Sequence, residues 1–459
     1  MPGAFHGLNM ASNALRAFQR ALDVTGHNIS NVDTPGYSRQ TVDFRENDPT
    51  SFWLGGLHSL GNGVTIGSVN RIRDAFLERR RLEATGDSGK FLQMADSLNN
   101  VQALFLEPGG SGIADAMDKF FNAWSALASN PNEPTVRMQV QQAGASLASR
   151  VRTTYQSLSD QANFTNESIT GTLTRVQSLS NQIAELNGQI RHKQAEGAEA
   201  NDLLDLRDQS LRELGTLVDI TTYEQPDGGV NVYMNQLALV DGAGAVPTPM
   251  TFDTATNTLS NAAGTYDVRS GKLRGLFESA EQIKTYQGNL DNIANQLRTQ
   301  VNAIHSTGVN PLGNTGVNFF NDSLPQSGAI DFDLDPAVAA DPQAIVSSVG
   351  GVAGDGGLAL SISRMRDQAQ AGLGNVTFSR YFDNVVSDVG AKAEYWSAQV
   401  STQTSMNEQI DRQIQAVSGV SLDDEMANML RFQRSYQAAA KALSIFDQMT
   451  EDLINMVRR

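Results

Sequence analysis

Five histidines, His6, His27, His58, His192 and His305, are the side chains best placed by type to hold a metal or carry a proton, and they are scattered along the chain. None is followed by Glu, so the His-Glu-x-x-His metalloprotease helix is absent, and surface or cap roles fit them better than a metal site. There is no cysteine, which removes both disulfides and a thiol nucleophile. Asp423, Asp424 and Glu425 could serve as catalytic carboxylates or as a cation site. They sit, however, at the start of a helical run, where negative charge complements the helix dipole. Arg71, Arg73, Arg79, Arg80 and Arg81 form the basic cluster of an acidic chain and lack interleaved aromatic residues. They read as intersubunit or helix-face salt bridges rather than nucleic-acid contacts. The glycines of 55–67 neither follow a clear strand nor lead directly into a long helix, which argues against a phosphate cradle. The expectation is a chain with no catalytic, cofactor-binding or metal-ligating residues and no nucleic-acid partner.

The elements that could position anything are long helices, and the last forty residues are the clearest of them. Ser421 suits an N-cap, and no Gly or Pro interrupts the run that follows. Leu422, Met429, Phe432, Tyr436, Ala439, Leu443, Phe446, Leu453 and Val457 fall on alternating three- and four-residue steps, with Glu425 and Thr450 at the two remaining positions of the seam. At this spacing the stripe of Phe432, Tyr436 and Phe446 reads as helix core rather than as a cofactor box. The N-terminal segment repeats the pattern with Leu8, Ala11, Leu15, Phe18, Leu22, Thr25, Ile29 and Val32. Asp33-Thr-Pro-Gly then ends that helix. Asn28, Asn31, Pro35 and Gly36 make up the helix-ending motif, and their role is conformational. Two unbroken heptad helices at the chain ends most simply pair as a coiled coil, with everything between them an excursion out and back.

That excursion changes period twice. Residues 37–44 read as a short extended segment, 52–67 as a loop and hairpin, and 70 onward as helix. Helices follow over 90–106, 113–129 and 135–193, and another starts at Asn201 and ends near Gly215. In the long one Ile169, Val176, Ile183 and Ile190 repeat every seven residues, joined by Leu179 and Leu186. Residues 216–270 are β-rich. Helix then resumes at Gly271 with Leu276, Ile283, Leu290, Leu297 and Ile304 at intervals of seven, which fits antiparallel packing against 135–193. Residues 308–357, rich in Gly, Asn, Asp and Pro, are expected to complete the β unit, and 358–417 to be helical again. The fold class is therefore mainly α with an inserted small β domain. Residues 1–45 and 418–459 form a terminal coiled coil, 46–215, 271–307 and 358–417 a helical-bundle shaft, and 216–270 with 308–357 a β tip.

The formal charge of −16 lies almost wholly in 46–420, because the two ends are near neutral. Near-neutral ends suit packing against copies or neighbours, and an acidic middle suits a solvated surface. No run approaches the roughly 20 apolar residues of a membrane span, and no cleavable secretory signal is expected at the N-terminus.

The stretch 25–40 (TGHNISNVDTPGYSRQ), together with 418–426 (SGVSLDDEM) and 431–440 (RFQRSYQAAA), resembles the flagellar axial proteins. Within that superfamily the YSRQ and SGVSLDDE signatures are similar to those of the hook-associated group. The resemblance implies a non-enzymatic subunit of the bacterial flagellum, joining hook to filament in a self-associating axial ring. Its implied partners are the hook protein, a second junction protein and a cytoplasmic export chaperone bound at the C-terminal helix. It also implies secretion through the flagellar export apparatus and ends that stay disordered until assembly. A distal rod or hook protein is the alternative, against which the helical 271–305 and 385–417 stretches weigh. An exported muralytic or proteolytic enzyme is the alternative from another class, and no motif supports it. The assembly interface expected on this reading comprises Leu8, Leu15, Phe18, Leu22, Ile29, Val32, Leu422, Met429, Phe432, Tyr436, Leu443, Phe446, Leu453 and Val457.

Overall fold

The computed structural model describes residues 3–53, 57–105, 112–241, 250–253, 258–261, 264–322 and 328–457. Helix α1 (Gly3–Ser30) leads into a hairpin of β1 (Gln40–Glu46) and β4 (Val64–Arg71), within which β2 (Thr50–Trp53) and β3 (Leu57–Leu60) form a second, smaller hairpin. Four helices follow: α2 (Ala75–Phe105), α3 (Ile113–Ser129), α4 (Pro134–Ala195) and α5 (Asn201–Leu217). Next come β5 (Thr221–Glu224), β6 (Val230–Met234), β7 (Leu237–Val240), β8 (Thr251–Asp253), β9 (Thr258–Asn261) and β10 (Gly264–Tyr266). They pair antiparallel into two three-stranded sheets. The chain ends with α6 (Gly271–His305), the short α7 (Pro336–Ala340) and α8 (Gly357–Arg364), and the long α9 (Phe378–Ser418) and α10 (Leu422–Val457).

Helix α4 shows why the middle is a rod. Pro134 opens it at the position where a missing N–H costs nothing, and 62 residues then continue without a break. Its two halves bury different stripes. Val140, Leu147, Val151 and Leu158 enter one core, while Ile169, Val176, Leu179 and Ile183 enter another. The antiparallel α6 spans both cores, with Ile283, Leu290, Leu297 and Val301 in the first and Leu273, Leu276 and Phe277 in the second. The second core belongs to the β unit, where Val230, Val232, Met234, Leu239 and Leu259 close over the helices. Gly271 sits where the chain returns from that unit. Its φ is +84°, and a Cβ would lie 2.6 Å from the carbonyl of Leu217, so only glycine makes this crossing without strain.

The reading of 308–357 as part of the β unit is corrected. Phe319, Phe320, Phe332, Val338 and Ile345 are fully buried in the first core, with α2, α3, α4 and α6. Side chains satisfy part of the backbone there, and isolated backbone bonds such as Asn321 N to Asp333 O and Asp335 N to Phe319 O replace a sheet ladder. Asn302 Oδ1 accepts from the N–H groups of both Phe319 and Phe320, and its Nδ2 donates to Phe320 O. Residues 330–334 contribute a single β-bridge, between Phe320 and Leu334. The segment from 70 also differs, because β4 runs on to Arg71. Helix α2 starts only after Asp74, whose Oδ1 accepts from the N–H groups of Phe76 and Leu77 as an N-cap.

His305 lies wholly inside this core. Its Nδ1 donates to Val317 O, its Nε2 accepts from Val346 N, and the Trp124 and Phe319 rings face it edge-on. Burial, with a smaller push from Arg137, lowers its pKa to about 4. The folded state therefore resists a proton that the unfolded chain takes up at about 6.5, so this contribution is intact above pH 6.5 and is lost progressively down to about pH 4. The full loss is on the order of 3 kcal/mol. His305→Gln, which keeps a donor and an acceptor but does not titrate, should flatten the pH dependence of denaturant stability between pH 6.5 and 4 relative to the parent. An unchanged slope would remove His305 from the acid response.

Candidate assembly interface

The two terminal helices meet antiparallel. Asn28, near the end of α1, donates to Glu425 in the first turn of α10, while Gly7, near the start of α1, lies under the ring of Phe446. A Cβ on Gly7 would stand 2.5 Å from that ring, so a larger residue there would have to displace it.

On α10 the side turned to α1 and the hairpin is the seam itself. Glu425 and Ala439 are buried, and Met429, Phe432, Leu443, Phe446 and Thr450 are half-buried. On α1 the fully buried positions are the small ones, Ala11, Ala17 and Ala21, with Val24, Thr25 and Asn28. Leu8, Leu15, Phe18, Leu22, Ile29 and Val32 flank them half-buried. The heptad reading marked Ala11 and Thr25 together with the larger residues, and it did not mark the buried Ala17, Ala21 and Val24. Helix α1 also packs on the β1–β4 hairpin, where the Phe44 ring of β1 lies between Phe18 and Phe432 with centroids 5.9 Å away on each side and planes inclined by 49°. Three seam residues are largely open: Leu422 is 49% exposed, Leu453 40% and Tyr436 36%. The side chain of Val457 lies outside the described residues. A second apolar set on α10, Met426, Leu430, Ile445, Met449, Ile454 and Met456, is also exposed. Nothing in the seam spacing marked it.

A polar network ties this pair to the rest of the chain. Glu425 Oε1 accepts from Arg39 at 2.6 and 2.7 Å, and Glu425 Oε2 accepts from Asn28 Nδ2 at 3.1 Å. Asn28 Oδ1 accepts from Gln40 N at 3.0 Å and from the Tyr37 hydroxyl at 2.7 Å, while its Nδ2 also donates to Gln40 O. Burial, reinforced by the carboxylates of Asp205, Asp202 and Glu425, raises the Tyr37 pKa well above its ordinary value, so the hydroxyl stays a donor. Asn31 closes the helix end by donating from Nδ2 to His27 O and accepting from Thr34 Oγ1. Pro35 is exposed in the turn that follows. Gly36 takes a φ of +85°, and a Cβ on it would sit 2.6 Å from the Arg212 guanidinium. Of this network, sequence reasoning singled out Asn28 and the position of Glu425. It missed the partners Arg39 and Tyr37, although the rule that a carboxylate at a heptad core position requires a cation would have prompted a search for one.

The carboxylates and arginines weighed at the outset also find structural work. Arg71 pairs with Asp205 and Asp208, Arg73 with Asp208 and Glu224, and Arg81 with Asp411, while Arg79 and Arg80 are exposed. Among the described residues no group of three or more His, Asp or Glu side chains could hold a metal ion. Nor is any of their helices long and apolar enough to cross a membrane.

Residues 98–320 match the model of the flagellar hook-associated protein FlgK helical domain. Residues 8–37 match that of the flagella basal body rod protein, and 413–456 that of the flagellar basal body rod FlgEFG protein C-terminal region. Flagellar hook-associated protein 1 of Bacillus subtilis is 27% identical, with 99% of each chain covered. Its counterpart in Salmonella typhimurium is 26% identical over 98% of this chain and 99% of its own. Over nearly its full length the chain is similar to the flagellar hook-associated proteins of the FlgK type. The flagellar hook junction protein FlgK from Burkholderia pseudomallei superposes with a TM-score of 0.65 at 16% identity, over 74% of this chain and all of its own, and so shares the fold. The chain is accordingly a structural protein of the hook–filament junction, and the two rod-type matches fall on the paired terminal helices.

Removing Glu425 tests how the arm is anchored. Glu425→Ala would strand the Arg39 guanidinium without its carboxylate and leave Asn28 Nδ2 with Gln40 O as its remaining acceptor. Because Arg39 is 21% exposed, the expected loss is roughly 2–4 kcal/mol, somewhat below that for a fully buried pair. Hydrogen exchange should accelerate in the last turns of α1 and the first turns of α10, with α4 and α6 unchanged. Undiminished protection of those turns would show that the network does not hold the arm.

Proposed function

We propose that this chain is a non-enzymatic subunit whose paired ends assemble, copy against copy, into a short axial ring on the end of the hook. A second junction protein and then the flagellin filament build on that ring. The observation that carries this reading is the state of the α1–α10 pair. Its own contact leaves the large seam residues half-buried, and two further apolar pairs on α10 are exposed, Met426 with Leu430 and Ile445 with Met449. Exposed apolar side chains clustered in this way mark an interaction face. A two-helix arm alone buries too little to offset ordering its residues at ~1–2 kcal/mol each, so neighbouring subunits are the natural cover. The same face on α10 would draw a cytoplasmic chaperone before export through the flagellar apparatus. Membership of the axial components, which assemble with other flagellar proteins and are exported, supports this reading.

The rod-type matches at both ends favour one other reading, a rod or hook component. The match of 98–320 to the hook-associated helical domain weighs against it, as do the long helices α6 and α9.

Replacing Leu443 and Phe446 together with Asp puts two charges into the seam, each costing several kcal/mol once neighbours cover it. The folded shaft should keep its melting temperature, while incorporation at the hook end fails and flagellin is shed into the medium. Arg434→Gln with Lys441→Gln, on the same helix, should leave cells motile. Normal swimming by the Asp double variant would remove the seam from assembly.

A further inference from the structure

The two apolar cores of the shaft leave a polar gap between them. On α4 the buried apolar stripe stops at Leu158 and restarts at Ile169. In that gap stands Phe164, 61% exposed, on the wall of a cleft of about 340 Å³ between α2, α4 and α6. Asp96, Asn99 and Asn100 of α2, Gln161 of α4 and Lys272 of α6 line the cleft with it. Among the described residues none of these five side chains has a hydrogen-bond or ion-pair partner. A small cleft with an aromatic wall and open polar groups suits the entry of an anchoring side chain.

The opposite flank of the shaft carries such an anchor. The Phe91 ring of α2 lies 5.6 Å from Trp396 of α9, and Phe105 lies 6.1 Å from Phe382 on the same helix. Asn100 comes about two and a half helical turns after Phe91, so α2 turns one face to α9 and the reverse face to the cleft. Next to Trp396, Tyr395 is 55% exposed. Its neighbour Glu394 is exposed too and has no ion-pair partner among the described residues. The Phe91–Trp396 contact sets these two within about two turns of the level of the cleft. The shaft thus shows an aromatic knob with a free carboxylate on one flank, and a cleft with a free ammonium on the other.

We propose that Tyr395 of one copy enters the Phe164 cleft of the next, with Glu394 against Lys272, as the lateral contact between shafts in the ring. This contact presupposes the ring proposed above and adds the surface through which the shafts touch. It lies wholly within the shaft, so it makes no demand on the state of the terminal helices before assembly. The Tyr395 ring lies against Phe164, and its hydroxyl reaches the open carboxylate and amides of α2. Knob and cleft occupy different flanks, so each copy gives one and receives one. Such head-to-tail contacts close into a ring, whereas a self-complementary patch would stop at two copies.

The chain has no native cysteine, so placed thiols report the contact alone. Asn100→Cys on the cleft wall and Ala398→Cys, about one turn from Tyr395, replace exposed residues on opposite flanks of one shaft. Hook ends from cells making only the doubly substituted chain, treated with a flexible bis-maleimide, should yield a ladder of linked multimers. Each single variant should stay monomeric. In a second arm, Lys272→Glu and Glu394→Lys should each lower the protein retained on hook ends at least five-fold. Combined, they should recover to within two-fold of the parent, with the circular dichroism of the purified chains unchanged. Protein present on hook ends without a ladder would overturn the knob-and-cleft contact and leave the ring standing. Linked dimers from either single variant would overturn it as well, because the contact would be self-complementary. An exchanged pair no better than the single variants would overturn the pairing of Glu394 with Lys272. Absence of even the unsubstituted protein from hook ends would instead defeat the ring itself.

Discussion

A single buried carboxylate closes the circuit of this chain. Glu425, 2% exposed, reaches back across almost the whole sequence to Arg39 and Asn28. A charge so placed is tolerated only with a cation and further donors around it, and the structure supplies both. The seam around it gives less, since most of its apolar residues remain half-open. The polar network therefore fixes the register of the two helices, and the apolar contacts follow from it. Moving α10 by one residue would leave Glu425 without Arg39 and carry Phe446 off the gap left by Gly7.

The architecture beneath follows from period. Helices α4 and α6 were legible because apolar residues at intervals of seven specify a helix face with little ambiguity, and Ile169, Val176, Ile183, Leu290 and Leu297 all lie at less than 1% exposure. The β unit was legible in the same way, by the change of pattern at Val218. The 308–357 segment was not, because its core residues are anchored by side-chain amides such as Asn302, which leave no periodic trace. Phe319, Phe320 and Phe332 among glycines and asparagines look like a loop, yet they fill the centre of the shaft.

At the candidate interface the sequence located the right helices and, on α10, the right face. It passed over the buried Ala17, Ala21 and Val24 of α1, because the heptad rule assumes one partner and α1 has two, α10 and the β1–β4 hairpin. A helix packed on two sides buries small residues at the crossing and pushes large ones to the edges, as Ala17 and Ala21 beside Phe18 and Leu22 illustrate. The arginine cluster had the physics of salt bridges in the sequence but not their address, since Asp205 and Asp208 are brought opposite Arg71 only by the folding of α5 against the hairpin.

As the proposed assembly element, the paired ends would have their open apolar faces covered by copies of the same chain. A cryo-EM map of the hook end carrying this protein tests it most directly. The expected result is α1 and α10 lining the axis as an antiparallel pair, with Leu15, Leu22, Met426, Leu430, Ile445 and Met449 buried against neighbouring subunits. A ring held together by the β unit or the shaft, with those side chains still facing solvent, would contradict it.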